Sequence, residues 1–332
     1  MSDRPKMMQR AAFGNALLDL GEKYPKLVVL DADISSSLYT SQFAKRFPER
    51  HINFGVAEQN MVIGAAGLAT TGLIPLACTY ATFATMRACE QIRSFICYAK
   101  LNVKIVCSHG GIEVGWDGPT HQATEDVAIM RAMPNMTVVV PADAVGTAAL
   151  IRQVVDHTGP LYFRMGRNPT PLIYDRNQEF ALGKAVQIRE GRDVTLVAMG
   201  VMVSVALDAA ELLAQRGVQA RLLDMHTVKP LDGEALLSAA KDTCLIVTLE
   251  DHNVIGGLGA AVAEYVSANR PVPVLRIGVP DVFAESGEPS LLFHKYAMDA
   301  GSIATRVEKA FKEWSCADQT VVEPNHLSIG DE

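Results

Sequence analysis

Glu58 opens an apolar run, following Phe54-Gly-Val-Ala57 and preceding Met61-Val-Ile-Gly-Ala-Ala-Gly67. At a helix start, a carboxylate is favoured by the dipole, which is a sufficient structural reason for it. Apolar surroundings also suit a carboxyl group to share a proton with a ring nitrogen. His109 and His121 flank a glycine-rich loop, Gly110-Gly-Ile-Glu-Val-Gly-Trp-Asp117-Gly-Pro-Thr120, with Asp117 between them. Either imidazole alone reads as a satisfied structural histidine. Two on one loop with a carboxylate point to proton transfer. A zinc site would need a third ligand, and no zinc spacing is present. Two more segments, Asp31-Ala-Asp33-Ile34-Ser-Ser-Ser37 and Tyr80-Ala-Thr-Phe83, add carboxylates and an aromatic ring. Together with flexible glycine backbone, this is the inventory of an active site that moves protons on a polar ligand. Gly256-Gly-Leu-Gly259 is a weaker signal. Val262 stands where a dinucleotide fingerprint has its third glycine, so the segment reads as tight helix packing. Glu250 and His252, at a strand end, read as domain-packing or dimer contacts.

These segments need a scaffold that brings distant residues to one edge. Short apolar strands are expected at 27–30, 73–78, 103–107, 136–140 and 160–164. They alternate with helices at 8–23, 57–71, 83–99, 123–132 and 143–156, with Thr82 as an N-cap candidate. The helix at 57–71 is rich in Ala and Gly, so something packs closely against it. Such alternation indicates an α/β protein with a doubly wound, mainly parallel sheet, in which ligands bind at the carboxyl ends of the strands. A proline-containing polar stretch follows. A second alternation then runs from 194 to 314. The expected division is a domain over 1–175, a linker over 176–191, a second α/β domain over 192–315 and a polar, frayed tail over 316–332.

The chain has 332 residues, 49% of them hydrophobic and 20% charged, with a net charge of −7. This composition supports two packed cores and excludes disorder over most of the length. The acidic balance argues against a nucleic-acid groove. No run of 18 apolar residues is present to cross a membrane, and the first residues lack the apolar core of a secretory signal. Six cysteines without a C-x-x-C pair read as reduced thiols in a cytoplasmic protein.

Taken in order, the motifs resemble the transketolase family of thiamine-diphosphate enzymes. They are Gly55-Val-Ala-Glu-Gln-Asn-Met61, Thr82-Phe83, His109 with Gly115-x-Asp117-Gly-Pro-Thr-His-Gln122, and Asp251-His-Asn-Val-Ile-Gly-Gly-Leu-Gly259. The resemblance runs from about Arg10 to residue 314 and corresponds to the family's pyrimidine-binding and C-terminal domains. It implies that Glu58 bonds N1′ of the cofactor's aminopyrimidine and drives the tautomer that activates the thiazolium. It implies that Phe83 packs on the pyrimidine and that Met86 stands where many relatives carry another aromatic. Arg87 and Cys89 would lie near the pocket, and Asp33 and Ile34 would face the cofactor near a subunit interface. His109, Asp117 and His121 match residues that contact sugar hydroxyls and shuttle protons. Arg10, Ser37 and Arg167 match positions that hold a substrate phosphate, with Arg164 as the neighbouring alternative to Arg167.

The family's other half binds Mg²⁺ and the diphosphate through Gly-Asp-Gly and a later Asn. No Gly-Asp-Gly occurs here. The resemblance therefore implies the C-terminal subunit of a split transketolase. An N-terminal-type partner subunit would hold the Mg²⁺, in an assembly of two copies of each chain that acts on phosphorylated sugars. The rivals are the β subunit of a 2-oxoacid dehydrogenase, whose loop lacks Asp-Gly-Pro-Thr-His-Gln, and a deoxyxylulose-phosphate synthase-like subunit, which carries Arg where His109 stands. A non-catalytic partner-binding subunit would have lost the glutamate.

Overall fold

The computed structural model describes residues 4–317. Runs of apolar residues form buried strands, as sheets covered on both faces require. Leu27–Asp31, Lys104–Ser108, Thr137–Val139 and Leu161–Arg164 are buried throughout, and Ile74–Tyr80 is buried along its middle. With His51–Asn53 they make the parallel part of a seven-stranded sheet. Its order is 227–229, 137–139, 161–164, 104–108, 74–80, 27–31, 51–53. One face is covered by the helices Gln9–Lys23 and Ala144–Asp156, through Phe13, Leu17, Leu150 and Ile151. The other is covered by Glu58–Thr70, Asp126–Ala132 and the helical segment after residue 80, through Met61, Ala65, Val127 and Ile92. Asp143 caps the 144–156 helix, accepting from the Gly146 N–H at 2.8 Å. The close neighbour expected at 57–71 is Phe54, whose ring fills the space a side chain at Gly64 would need.

A second sheet has the order 274–279, 246–253, 194–198, 220–224, 186–189, parallel except for its last strand. The fold is thus the expected pair of doubly wound α/β units. Four local features differ from the expectation. The stretch expected as a linker contributes the antiparallel edge strand Val186–Arg189. Thr227–Lys229 crosses back to pair with 137–139 at the edge of the first sheet. Thr82 does not cap: it has helical backbone angles, and its side chain makes no cap bond. The segment expected as a regular helix over 83–99 contains wider π-type turns at Phe83–Arg87 and Ile92–Cys97. Such turns cluster at functional sites because each re-aims the side chains on it. The tail expected over 316–332 lies, from residue 318 on, outside the described residues. Among the described residues, Cys78, Cys89, Cys97 and Cys107 are free thiols, and no helix is long and apolar enough to cross a membrane.

Asp224 ends the strand Ala220–Asp224 fully buried, and Tyr174 Oη donates to its Oδ2 at 2.7 Å. Burial, with the nearby Asp143 charge adding to it, pushes this carboxyl from 3.8 up to about 8. The folded state therefore holds a proton that the unfolded chain releases. The stability this proton contributes is present at low pH and is lost as pH rises through the folded value. Resistance to denaturant should fall from about pH 6 to about pH 9, and Asp224→Asn should make that fall shallower. Urea titrations of both proteins at the two pH values check this. Parallel curves would remove Asp224 from the account.

Candidate active site

Strand register sets the site. Asp31 lies opposite Asn53 and Cys78, Tyr80 opposite Ser108, and Cys107 opposite Arg164. The residues after each pair, namely Asp33 to Ser37, Gly55 to Glu58, Phe83, His109 and Arg167, therefore emerge at one carboxyl edge of the sheet. Asp33 and His109 turn there through left-handed backbone, at φ 64° and 65°, a conformation few non-glycine residues adopt outside constrained sites. Asp33 is tied to Asn53 by bonds of 3.0 and 3.1 Å. Ile34 packs at the margin of the core.

Glu58 is the first residue of its helix and is buried. Its Oε1 accepts from Arg87 Nη1 at 3.0 Å, and the same guanidinium lies 3.9 Å from the centre of the Phe83 ring. The wholly apolar setting expected for Glu58 is therefore interrupted by a cation. The π-type turn at 83–87 brings Phe83 and Arg87 together in this way. Val56, Ala57, Glu58, Gln59, Asn60 and Arg87 line an open cavity of about 420 Å³. Val56 and Met86 are exposed beside it.

A second cluster adjoins Phe83. His121 lies edge-on to that ring at 5.1 Å, and Tyr80 stacks on His109 with centroids 3.8 Å apart. His109 is buried, with Nδ1 2.8 Å from Ser108 Oγ and Nε2 3.8 Å from Asp117 Oδ2. Burial above all, then the Arg10 and Arg167 charges, pushes its pKa from 6.5 down to about 3. At neutral pH the ring is uncharged and offers one donor and one acceptor. Asp117 also pairs with Arg167 Nε at 3.2 Å. Arg10 joins the two halves of the cluster. It donates to the Ser37 carbonyl and to Ser37 Oγ at 2.5 and 3.0 Å, and to the Arg167 carbonyl at 2.7 and 3.1 Å. Tyr80 Oη donates to the same Ser37 hydroxyl at 3.0 Å. Arg10, Ser37 and Arg167, far apart in sequence, thus meet as expected. The result is a cationic cluster beside the neutral His109, suited to an anionic, hydroxyl-bearing ligand.

Arg164 does not join them. It is buried, with Nε 2.7 Å from Asp126 Oδ2 and Nη2 donating to the Ala123 and Asp251 carbonyls. It forms a structural ion pair inside the first domain, and its bond to the Asp251 carbonyl reaches the second. Glu250 accepts from the Leu258 and Gly259 N–H groups at 2.7 and 2.8 Å, and His252 accepts from the Ala128 N–H at 3.3 Å, so both serve packing. The glycine loop is not slack. A side chain at Gly110 would lie 2.3 Å from Arg164 Nε, and one at Gly111 would lie 2.2 Å from the Asp251 carboxyl. Gln9 and Glu113 carry much of the local bonding, and no periodicity or motif singles them out. Only the placing of Glu113 as the lone charge in Gly110-Gly-Ile-Glu-Val-Gly115 hints at it. Among the described residues, no group of three or more His, Cys, Asp or Glu side chains is placed to hold a metal ion.

Residues 5–171 match the family model of the transketolase pyrimidine-binding domain, and residues 183–303 that of the transketolase C-terminal domain. A putative transketolase C-terminal section of Methanocaldococcus jannaschii is 48% identical over 92% of this chain and 96% of its own length. A 6-deoxy-6-sulfo-D-fructose transketolase subunit of a Clostridium species is 45% identical over 89% of this chain and 91% of its own. A solved structure described as a split-gene transketolase in an inactive beta4 tetramer superposes with a TM-score of 0.87 at 48% identity. It covers 93% of this chain and 99% of that one.

Proposed function

This chain belongs to the transketolase family, and we propose that it is the C-terminal subunit of a two-chain transketolase. With a second polypeptide that holds Mg²⁺ and the diphosphate of thiamine diphosphate, it transfers a two-carbon ketol unit from a ketose to an aldose phosphate in the cytoplasm. The observation that carries this reading is a cofactor wall that is only half built. Glu58 and Arg87 line an open cavity, and the Phe83 ring lies against the Arg87 guanidinium. Val56 and Met86 beside it, and Ile63, Phe95 and Tyr98 on the same two helical segments, expose apolar surface of the kind that marks a protein interface. The relative described as an inactive tetramer of one chain type fits a site that needs another polypeptide. An assembly of two copies of each chain follows from that reading.

The residues present fit the aminopyrimidine end of the cofactor. A carboxyl acceptor at the head of a helix stands near an aromatic face, and the Arg87 guanidinium now covering that face can swing outward. When bound, thiamine diphosphate supplies the chemistry that breaks and remakes the ketol carbon–carbon bond. Glu58 holds the proton shared with the pyrimidine N1′. Phe83 orients the ring, and Asp33 and Ile34 close the neighbouring edge. His109, uncharged at working pH, and His121 exchange hydrogen bonds and protons with substrate hydroxyls, with Asp117 beside them. Arg10, Ser37 and Arg167 hold the phosphate.

Arg167→Ala should raise KM for a phosphorylated acceptor about 10- to 100-fold, the worth of a charge-assisted bond. Its effect on the same aldose without phosphate should be small. Steady-state kinetics with the two acceptors check this, and equal effects would take Arg167 out of the phosphate site. To test the function, the chain is combined with its partner, thiamine diphosphate and Mg²⁺ and offered xylulose 5-phosphate or pyruvate. Ketol transfer without CO₂ is expected. CO₂ release from pyruvate would favour the dehydrogenase or synthase reading instead.

A further inference from the structure

A run of carboxylate-to-backbone bonds leads from the second sheet to the phosphate pocket. Asp251 lies on the strand Ile246–Asn253 and is buried. Its Oδ1 accepts from the Ile112 N–H at 2.8 Å and its Oδ2 from the Glu113 N–H at 3.0 Å, across the gap that Gly111 leaves open. Glu113 is itself buried. Its Oε2 accepts from the Arg167 N–H at 2.8 Å, its Oε1 from the Asn168 N–H at 2.6 Å, and its carbonyl from Asn168 Nδ2 at 2.6 Å. Gln9 holds the preceding residue through the Gly166 N–H at 2.7 Å. Asp251 and Glu113 each aim a carboxylate at two neighbouring N–H groups, which fixes a loop more firmly than a single bond does. Arg167 and Arg10 are thereby set at one spacing, because the Arg167 carbonyl, at the end of this chain of bonds, is what Arg10 grips.

We propose that Glu113 and Asp251 are positioning residues, through which the C-terminal domain holds the Arg167 loop in the geometry that captures the substrate's phosphate. This rests on the reading of Arg167 given above and adds a role for the second domain, whose Asp251 acts from behind the loop. Replacing either carboxylate by its amide keeps the shape but turns one acceptor into a donor facing an N–H, so the loop loses a bond without losing volume.

The test uses the assembled enzyme and compares an aldose phosphate with the same aldose unphosphorylated. Glu113→Gln and Asp251→Asn should each raise KM for the phosphorylated acceptor about tenfold and leave kcat within about threefold. Inhibition by inorganic phosphate should weaken in parallel. Adding Glu113→Gln to Arg167→Ala should cost nothing further, because the carboxylate acts through the arginine. A purely structural role would instead lower kcat on both acceptors and add to the Arg167→Ala effect, and that result overturns the proposal. So does a Glu113→Gln enzyme with unchanged KM beside a selective Arg167→Ala. If Glu113→Gln fails to fold, Asp251→Asn is judged by the same criteria. An unselective Arg167→Ala marks the failure of the phosphate reading, and the relay falls with it.

Discussion

Glu58→Gln is expected to lower turnover of the assembled enzyme by about 10²- to 10⁴-fold, the range by which a positioned proton-transferring group contributes. That is roughly 3–5 kcal/mol of barrier. An amide keeps the length of the side chain and can still accept from Arg87 Nη1, which now bonds the carboxyl at 3.0 Å. It cannot hold the proton that a ring nitrogen must share. Packing should be little affected, because Met61, Val62 and Ala65 anchor the helix to the core independently of its first residue. The measurement is kcat with saturating substrate, alongside unfolding curves of both proteins. Near-normal turnover would remove Glu58 from the chemistry. Lost turnover together with lost structure would make it a packing residue.

Arg164→Met is expected to destabilise the fold by about 3–5 kcal/mol, the cost of removing one partner from a buried ion pair. Asp126 is fully buried, and without the guanidinium its carboxyl keeps only Tyr162 Oη, at 2.6 Å. The Asp251 carbonyl also loses its donor, and the Ala123 carbonyl keeps the Gly111 N–H alone. Adding Asp126→Asn should recover part of the loss, because no charge is then left buried alone. Denaturant titration of the wild type, the single variant and the double variant reads this directly. A stable Arg164→Met with a raised KM for phosphorylated acceptors alone would transfer the phosphate-binding role from Arg167 to Arg164.

Arg164 and Arg167 also show how far the sequence could be read. They differ by three positions and look alike as residue types. Only the register of Leu161–Arg164 places the first inside the sheet and the second beyond its end. The strands and longer helices were legible because continuous apolar runs and helical spacing are set by burial itself. The edge strands Lys6–Met8, Pro169–Pro171, Val186–Arg189 and Thr227–Lys229 were not. Three or four residues carry too little periodicity to separate from a loop. Glu58, His109 and His121 were identified through motifs and Arg10, Ser37 and Arg167 through the family resemblance, and all lie along one edge of the sheet. Glu113 escaped notice because its partners are backbone N–H groups, which have no sequence signature. The glycines before it look like slack, yet Gly110 and Gly111 are small because Arg164 and Asp251 fill the space beside them. The Arg87 guanidinium between Glu58 and Phe83 depends on a π-type turn that ordinary helical spacing does not anticipate.

The most direct test of the divided active site is calorimetric titration of thiamine diphosphate into this chain alone, and into its mixture with an N-terminal-type partner and Mg²⁺. Ketol transfer is assayed on the same samples. Tight binding and turnover are expected only in the mixture, with turnover abolished there by Glu58→Gln. Tight cofactor binding and sugar turnover by the metal-free chain on its own would contradict the account.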